Sequence, residues 1–269
     1  MIAFERRHLL LELLRKQPGL RVPEMAQALD VSEGTVRNDL NALEKEGRLA
    51  RVHGGAILKD QEHFENNSFL RRFRQNSAAK RAIARQAAGL VNDGDSILLD
   101  ASSTAYYLAR ALTGRRKLRV MTNGFEVARE LAQNLSNTVI LIGGVVNNDS
   151  SSVTGLLSEK IIAEMHIEIA FFSCSGFSLE RGMTEVHLEE AQLKRMAIQS
   201  SQQVIALVDS SKIGKEDLTP FAHPRQITHL FTDAGLVPEW ANRLEQAGIH
   251  FTICKEEAPA PIWATTFSS

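Results

Sequence analysis

The chain has 269 residues, and its 31 lysines and arginines against 32 aspartates and glutamates leave a formal net charge of −1. This length predicts two domains, one of about sixty and one of about two hundred residues. The balanced charge excludes a protein that coats nucleic acid by charge alone. The two cysteines lie far apart in apolar runs, which predicts free buried thiols in a reducing cytosol. Met1 leads into an amphipathic pattern without a signal peptide, and no apolar run approaches about 18 residues, so we expect a cytoplasmic protein.

The first fifty residues carry the pattern of three short helices. Apolar residues recur at helical spacing in the first and the third of them. They are Leu10, Leu13 and Leu14 in the first helix and Val36, Leu40 and Leu43 in the third. Pro23 suits the first turn of the second helix, because its missing N–H would have no partner there. Ser32 ends a tight turn and can cap the third helix by accepting a backbone N–H. This layout predicts a helix-turn-helix, which places its last helix in the major groove of DNA.

The polar face of the third helix and the segment behind it supply the expected contacts to DNA. Residues 48–57 alternate apolar and polar around two glycines, which predicts a hairpin, the wing of a winged helix-turn-helix. Arg37 and Asn38 are expected to read bases, since Arg pairs with guanine and Asn with adenine. Ser32 and Thr35 would hold phosphates, and Arg51 and His53, on the wing, would contact DNA of any sequence. The full set of expected contacts is Ser32, Thr35, Arg37, Asn38, Asn41, Arg51 and His53. The alternative is a three-helix bundle with a merely solvated polar face, and the wing favours DNA binding.

Residues 59–76 are polar and poor in aliphatic side chains. This composition predicts a linker that follows a DNA-binding domain of residues 1–58. A basic patch lies within the linker, at Arg71, Arg72 and Arg74. Two interpretations of the patch stay open: a solvated run on a helix, or contacts to DNA phosphates.

From residue 77 onward the chain repeats one order: a short apolar strand, a polar or glycine-containing loop, and a helix. A helix at 77–91 precedes the first strand. The predicted strands are 96–99, 118–122, 139–142, 169–173, 204–208, 229–232 and 250–253, and the predicted helices are 104–112, 124–133, 156–165, 188–199 and 238–247. This alternation predicts an α/β domain over 77–255, with a mostly parallel sheet covered by helices. Residues 256–269 are expected to be a disordered tail.

Polar and glycine-containing loops follow four of the strands, at the sheet edge where open parallel sheets bind ligands. One loop brings three hydroxyls to a helix start, a natural seat for a phosphate, although plain N-capping would need only one of them. Lys212 adds a positive charge after a later strand. We therefore expect a phosphate-bearing ligand. Its expected contacts are Asp100, Ser102, Ser103, Thr104, Asn123, Gly143 and Lys212, with Glu189 and Lys194 as neighbours.

The N-terminal motif resembles the DNA-binding domain of the DeoR family of bacterial transcriptional regulators. The matching residues are V-S-x-x-T-V-R-x-D-L at 31–40, L-E at 43–44 and G-R-L-x-R-x-H-G-G-A at 47–56. The likeness extends to about residue 255. Family members usually carry Arg-Arg-Asp where this chain has Arg37-Asn38-Asp39, so the operator sequence of a relative does not transfer to this chain.

The second domain resembles the DeoR sensor domain, whose fold is similar to that of ribose-5-phosphate isomerase. Four family motifs match, Asp-x-Gly-Thr-Thr at 100–104, Thr-Asn at 122–123, Gly-Gly at 143–144 and Asp-x-Ser-Lys at 209–212. Ser102 replaces the glycine of the first motif, and Glu168 stands where an aspartate is usual. The resemblance implies an effector that is a phosphorylated sugar or polyol.

Isomerases of this fold carry an acidic turn where this chain has serine and cysteine at 173–175, and a base glutamate where it has Lys194. Isomerisation of an aldose phosphate needs a carboxylate base. Glu185, Glu189 and Glu190 remain as substitutes, or as a solvated helix face. We therefore expect a regulator and not an enzyme, most simply a repressor of a carbohydrate-catabolism operon. An isomerase-type enzyme with a DNA-binding domain, and an activator or dual regulator, are the alternatives.

The expected partners are double-stranded operator DNA, the sugar or polyol phosphate, and further copies of the chain in a dimer or tetramer. A single small DNA-binding domain makes too few contacts for operator specificity, which is why a homo-oligomer is expected. The eight histidines show no metal-ligand spacing, and no nucleotide-binding glycine motif is present. We therefore expect no cofactor and no metal.

Overall fold

The computed structural model describes residues 2–17, 19–52, 55–58 and 68–255. The chain divides into two compact units, Met1–Asn67 and Ser68–Ser269. His53, residues 59–67 of the expected linker and the tail 256–269 lie outside the described residues, so what was predicted for them stays a prediction.

The first unit is the predicted winged helix-turn-helix. It contains α1 Ala3–Lys16, α2 Val22–Leu29, α3 Glu33–Lys45 and the antiparallel hairpin of β1 Leu49–Val52 and β2 Gly55–Leu58. Asp30 adopts a left-handed conformation with φ 51° and ends α2. The Oγ of Ser32 then accepts a hydrogen bond from the backbone N–H of Thr35 at 3.1 Å and caps α3, as predicted. The apolar residues of the three helices form one buried cluster.

A charged cluster joins α1 to α3 beside this apolar core. The carboxylate of Asp39 is buried and accepts hydrogen bonds from the guanidinium groups of Arg6 and, at 3.1 Å, of Arg7. Asp39 lies on the inward face of α3, between Val36 and Leu43, so it belongs to the helix packing and not to the exposed face. Burial makes this carboxylate dependent on its two partners, because an unpaired buried charge is costly.

We predict that Asp39→Ala destabilises the first unit by about 3 kcal/mol, since it leaves two arginines facing a vacated buried site. The matched control is Glu33→Ala, which removes an exposed carboxylate of the same helix whose ion pair is worth less than about 1 kcal/mol. Native-state hydrogen exchange of the α2 and α3 amides measures both. Equal loss of protection in the two variants would contradict the structural role of Asp39.

The second unit is built on a parallel seven-stranded sheet in the order β14-β13-β11-β8-β3-β4-β5. Its strands are β3 Ser96–Leu99, β4 Arg119–Thr122, β5 Thr138–Leu141, β8 Ile167–Phe172, β11 Ser201–Leu207, β13 His229–Asp233 and β14 Phe251–Cys254. Its helices are α4 Ser68–Arg74, α5 Ser77–Ala87, α6 Ser103–Ala111, α7 Phe125–Leu131, α8 Leu156–Ala163, α9 Leu188–Gln199 and α10 Pro238–Gln246. The predicted α/β architecture is therefore confirmed, with every predicted strand in one sheet.

Two small antiparallel sheets, which the sequence pattern did not predict, extend from the same unit. One pairs β6 Val145–Asn147 with β7 Ser152–Thr154, and the other has β9 Gly176–Ser178, β10 Gly182–Glu185 and β12 Thr219–Ala222. These strands have three or four residues each, too short to show an alternating pattern in the sequence.

The prediction that the linker runs to residue 76 is wrong for its last part. Residues 68–74 form α4, which belongs to the second unit. Phe69 and Phe73 are buried, and the ring of Phe73 stacks on that of Tyr107 at 5.0 Å between centroids. The segment is poor in aliphatic residues, but its two phenylalanines lie four residues apart on one helix face, and their burial holds α4 on the domain.

Candidate functional site

The exposed face of α3 is the candidate nucleic-acid interface. Gly34, Arg37, Asn38 and Asn41 are exposed, and their spacing of three and four residues places them in one stripe along the helix. The expected base readers, Arg37 and Asn38, therefore lie side by side on the solvent face. Arg37 forms an exposed ion pair with Glu33 at 2.6 Å, a contact that costs little to exchange for another partner.

The hairpin is joined to α3 by its arginine. The guanidinium of Arg51 donates to the Oδ1 of Asn41 at 2.7 Å, and its backbone N–H donates to the Oε1 of Glu44 at 2.9 Å. Two of the expected DNA contacts, Asn41 and Arg51, thus hold each other before any DNA is present. At the other end of the helix, the hydroxyls of Ser32 and Thr35 form a hydrogen bond with each other, at 2.8 Å.

In the second unit, a cleft of about 280 Å³ opens beyond the carboxyl ends of the central strands. Loops after three adjacent strands line it: Ala101 to Ser103 after β3, Ser173 to Ser175 after β8, and Ser211, Lys212 and Lys215 after β11. The strands β4 and β5 follow β3 on one side of the sheet. On its other side lie β8, β11, β13 and β14, in this order. The cleft therefore lies at the topological switch point of the sheet, where such folds bind ligands.

Four of the expected ligand contacts meet in this cleft: Ser102, Ser103, Lys194 and Lys212. Ser102 caps α6, and its Oγ accepts from the backbone N–H of Ala105 at 3.1 Å. Ser103 follows at the first helical position. The ammonium of Lys212 donates to the Oγ of Ser173 at 3.1 Å and lies 3.5 Å from a carboxylate oxygen of Asp209. These loops place hydroxyls and a cation around one helix start.

Lys194, Glu185 and Asp100 form a buried charged network at the floor of the cleft, and the first two of them line it. The Lys194 ammonium lies 2.7 Å from Glu185, 3.0 Å from the carbonyl of Ser173 and 3.1 Å from Asp100. Its ammonium donates hydrogen bonds to the carbonyl of Ser173 and to the carboxylate of Glu185, and it forms an ion pair with Asp100. Lys194, which the sequence placed as a neighbour of the ligand, lines the cleft and is bonded to these groups of the chain. Lys194 positions the loop of Ser173.

The opposite charges of Glu185 and Lys194 favour the ionised form of both groups. Burial by itself would raise the pKa of Glu185, but the Lys194 ammonium and a hydrogen bond from Ser175 lower it to about 2. Burial would lower the pKa of Lys194, and the carboxylates of Glu185 and Asp100 raise it above its ordinary value instead. Glu185 and Lys194 therefore both keep their charges throughout the physiological pH range.

Asp100 is also removed from the cleft surface. It is 1% exposed, and its carboxylate accepts from the backbone N–H groups of Ser102 at 3.1 Å and Ser173 at 3.0 Å. These bonds join the loops after β3 and β8. The sequence placed Asp100 among the ligand contacts, whereas in the structure it holds two of the loops that line the cleft.

Four further expected contacts do not line the cleft: Thr104, Asn123, Gly143 and Glu189. Thr104 is fully buried behind the helix start. The amide of Asn123 donates to the carbonyl of Val153 at 3.2 Å, and the carbonyl of Gly143 accepts from Ser158. Glu189 points to solvent. Asn123 and Gly143 follow β4 and β5, the strands on the outer side of β3, which explains why their loops do not reach the switch point.

Several lining residues were missed by the sequence analysis, above all the cations Arg72 and Lys215. Arg72 comes from α4 and belongs to the basic patch, which was the available signal. Four cationic side chains line the cleft, those of Arg72, Lys194, Lys212 and Lys215, against the carboxylates of Glu185 and Glu190. Arg72 and Lys215 form no side-chain ion pair or hydrogen bond with the residues that the structure describes. These two cations of the cleft are therefore available to an anion.

A fifth cation, Lys80, lies buried in α5 near the cleft. Its ammonium donates to the backbone carbonyls of Arg72 and, at 2.6 Å, of Gln75. Burial and the nearby charge of Lys212 lower the pKa of Lys80 to about 7. Lys80 thus holds the C-terminal end of α4 through hydrogen bonds to these carbonyls, and its ammonium titrates near neutral pH.

This pKa predicts a pH-dependent stability. Between pH 7 and the ordinary lysine pKa of 10.5, the unfolded chain holds a proton on Lys80 that the folded chain has lost, so stability rises with pH by at most about 1.4 kcal/mol per unit. Below pH 7 both states are protonated and this slope vanishes. Lys80→Met should remove the slope. Urea unfolding, followed by tryptophan fluorescence from pH 6 to 9.5, measures the free energy of unfolding of both proteins. If the difference in this free energy between wild type and Lys80→Met does not change with pH, the lowered pKa is contradicted.

Among the described residues, no helix has the length and apolar character needed to cross a membrane. The same residues contain no group of three or more His, Cys, Asp or Glu side chains arranged to hold a metal ion. Cys174 and Cys254 are buried free thiols, and burial raises the pKa of each to about 12.

Each of the two units matches a known protein family. Residues 6–62 match the DeoR-like helix-turn-helix domain, and residues 75–234 match the DeoR C-terminal sensor domain. The chain belongs to the DeoR family. It is a DNA-binding transcriptional regulator, with α3 as its recognition helix and the second unit as its sensor domain.

Two relatives and one solved structure show the range of similarity. The HTH-type transcriptional regulator GolR of Listeria innocua is 38% identical over 95% of this chain and 100% of its own length. The lactose phosphotransferase system repressor of Streptococcus mutans is 36% identical over 85% of this chain and 91% of its own. Ribose 5-phosphate isomerase A of Methanocaldococcus jannaschii matches 52% of this chain and 55% of that chain, with 20% identity and a TM-score of 0.38.

Proposed function

We propose that this regulator is a repressor of a carbohydrate-catabolism operon, and that a phosphorylated sugar or polyol in the cleft controls its binding to DNA. The observation that carries the proposal is the cleft at the switch point of the sheet, with the cations of Arg72, Lys212 and Lys215 around the start of α6. A helix start and free cations both favour a phosphate.

Hydroxyl and carboxylate groups beside these cations would recognise the sugar. Ser102, Ser103 and Ser175 line the cleft, and so does Glu190, whose carboxylate accepts from Ser152. Such groups bond to sugar hydroxyls, which a phosphate site alone does not distinguish. Of the expected contacts, we therefore retain Ser102, Ser103 and Lys212, and we add Arg72, Lys215 and Glu190.

The carboxylates in the cleft favour binding over catalysis. A general base works best with a pKa near the operating pH. Glu185 has a pKa of about 2 and already accepts from Lys194 and Ser175, so it is a weak base. We therefore propose that the chain binds its sugar phosphate without converting it.

Repression of a carbohydrate operon is the function that the lactose phosphotransferase system repressor carries in its name. We extend it to this chain because that relative spans both units. The repressor would act in the cytoplasm as a dimer or tetramer, since a helix-turn-helix reads paired half-sites one helical turn apart. Deletion of the regulator should raise transcription of its operon, and a fall in transcription would identify an activator instead.

For DNA binding, we predict that Arg37→Ala weakens operator binding by at least about tenfold, because a bidentate base contact is worth roughly 1–3 kcal/mol. Asn38→Ala should weaken it comparably. Lys160→Ala, an exposed position of α8 in the sensor domain, removes the same charge and serves as the control. Gel-shift titrations against operator and random DNA measure the effect. Operator affinity that stays at the wild-type level in Arg37→Ala would remove this residue from the reading surface.

For the effector, we predict that Lys212→Ala lowers sugar-phosphate affinity by about tenfold or more, since charge-assisted hydrogen bonds contribute roughly 1.5–3 kcal/mol. Lys212→Arg should retain most of the affinity. Calorimetry with glycerol 3-phosphate, ribose 5-phosphate, fructose 1-phosphate and galactose 6-phosphate, each against its unphosphorylated parent, provides the measurement. Equal binding of phosphorylated and free sugars, or turnover of a sugar phosphate by the purified protein, would overturn the proposed function.

A further inference from the structure

We propose that α4 closes the cleft, that its Arg72 binds the anionic group of the ligand, and that the position of this helix transmits ligand occupancy to the DNA-binding unit. The inference rests on the proposed function and concerns the regulation of the same site.

The first observation is the side chain of Arg72. It lines the cleft and is half-buried, and its charge acts on the carboxylate of Asp149. Its guanidinium forms no ion pair or hydrogen bond with the described part of the chain. Lys212, by contrast, already lies against Asp209 and Ser173. A guanidinium presents a planar fork of donors that matches two phosphate oxygens at once. Arg72 can therefore bind an anion through two donors at once, which Lys215 cannot, and without breaking a hydrogen bond or ion pair of its side chain.

The second observation is that the N-terminal end of α4 is bonded to a loop of the cleft. The backbone N–H of Ser68 donates to the Oδ1 of Asp149 at 2.7 Å, and its hydroxyl donates to the carbonyl of Asp149 at 3.0 Å. The backbone N–H of Phe69 donates to the same carbonyl at 3.1 Å. The next residue, Ser150, lines the cleft. This end of the helix is thus fixed to the loop between β6 and β7.

The C-terminal end of α4 is bonded to a second loop of the cleft. Lys80 holds the carbonyls of Arg72 and Gln75. The side-chain amide of Asn76 donates to Asp209 at 3.0 Å and to the Oγ of Ser211 at 2.9 Å. Asp209 and Ser211 belong to the loop that carries Lys212. A ligand held by Arg72 and Lys212 would add one more link between α4 and this loop.

The third observation is the place of α4 in the chain. Ser68 directly follows residues 59–67, which lead back to the DNA-binding unit, so any displacement of α4 displaces the start of that segment. A ligand changes the population of two states only when it binds one of them better. Arg72 supplies that difference, because it reaches the ligand only while α4 lies over the cleft.

The binding test compares Arg72→Ala with Arg71→Ala, an exposed arginine of the same helix that does not line the cleft. Calorimetry with inorganic phosphate and with the four sugar phosphates should show affinity about tenfold or more lower in Arg72→Ala. Arg71→Ala should bind as the wild type does. Arg72→Lys should fall between them, because it keeps the charge and loses the fork. Wild-type affinity in Arg72→Ala would overturn the proposal.

The coupling test uses Asn76→Gly, which removes the amide bonded to Asp209 and Ser211. Asn76 has φ 52°, a left-handed conformation that glycine adopts without strain. We expect this variant to bind the sugar phosphates within about threefold of wild type, and to show a several-fold smaller ligand-induced change in operator affinity. Hydrogen exchange should show that ligand protects the amides of residues 68–76 in wild type and less in Asn76→Gly. An unchanged operator response in this variant would reject transmission through α4.

The two proposals fail separately. If wild type binds none of the sugar phosphates, the proposed function fails and this inference falls with it. If wild type binds a sugar phosphate and Arg72→Ala binds and responds to it equally, only the role of α4 is rejected.

Discussion

The buried network of Asp100, Lys194 and Glu185 is the interaction on which the sensor domain depends. It joins the loops after β3 and β8 to α9 and to the small sheet that contains β10. Burying these charges is costly, and the cost is offset only because each charge has a partner of opposite sign and further hydrogen bonds. With the network intact, the hydroxyls of Ser102 and Ser103 are held at the start of α6.

Two groups of charges in the cleft therefore have different roles. Those of the buried network hold the loops in place, and others are available to a ligand. Lys194 is held by Glu185, Asp100 and the carbonyl of Ser173, whereas the side chains of Arg72 and Lys215 form no ion pair or hydrogen bond with the described residues. A rigid, fully paired floor and free cations at the rim together form a site organised before ligand arrives. Such preorganisation lowers the entropic cost of binding. The same pairing lowers the pKa of Glu185, and this supports the proposal that the chain binds its ligand without converting it.

The DNA-binding unit uses the same principle on a smaller scale. Asp39 stands in the middle of the recognition helix, yet its carboxylate is buried between Arg6 and Arg7 and serves the packing of α1 on α3. Arg37 and Asn38, immediately before it, are exposed. Three consecutive polar residues therefore have two different roles, and the 3.6-residue period of the helix assigns them.

The order of elements, the helix-turn-helix and the parallel strands followed from local patterns, because periodicity, capping residues and turns depend on neighbouring residues only. The loops that form the cleft depended on the order of strands in the sheet, which pairs β3 with β8 across some seventy positions of sequence and leaves β4 and β5 outside. That order brought Ser102, Ser103 and Lys212 together and kept Asn123 and Gly143 apart. The roles of Asp100 and Lys194 were likewise decided by burial, and Arg72 reached the cleft because Phe69 and Phe73 bury α4 against the sensor domain. Contacts between residues that are distant in sequence decide where these side chains lie, and a local sequence pattern does not predict such contacts.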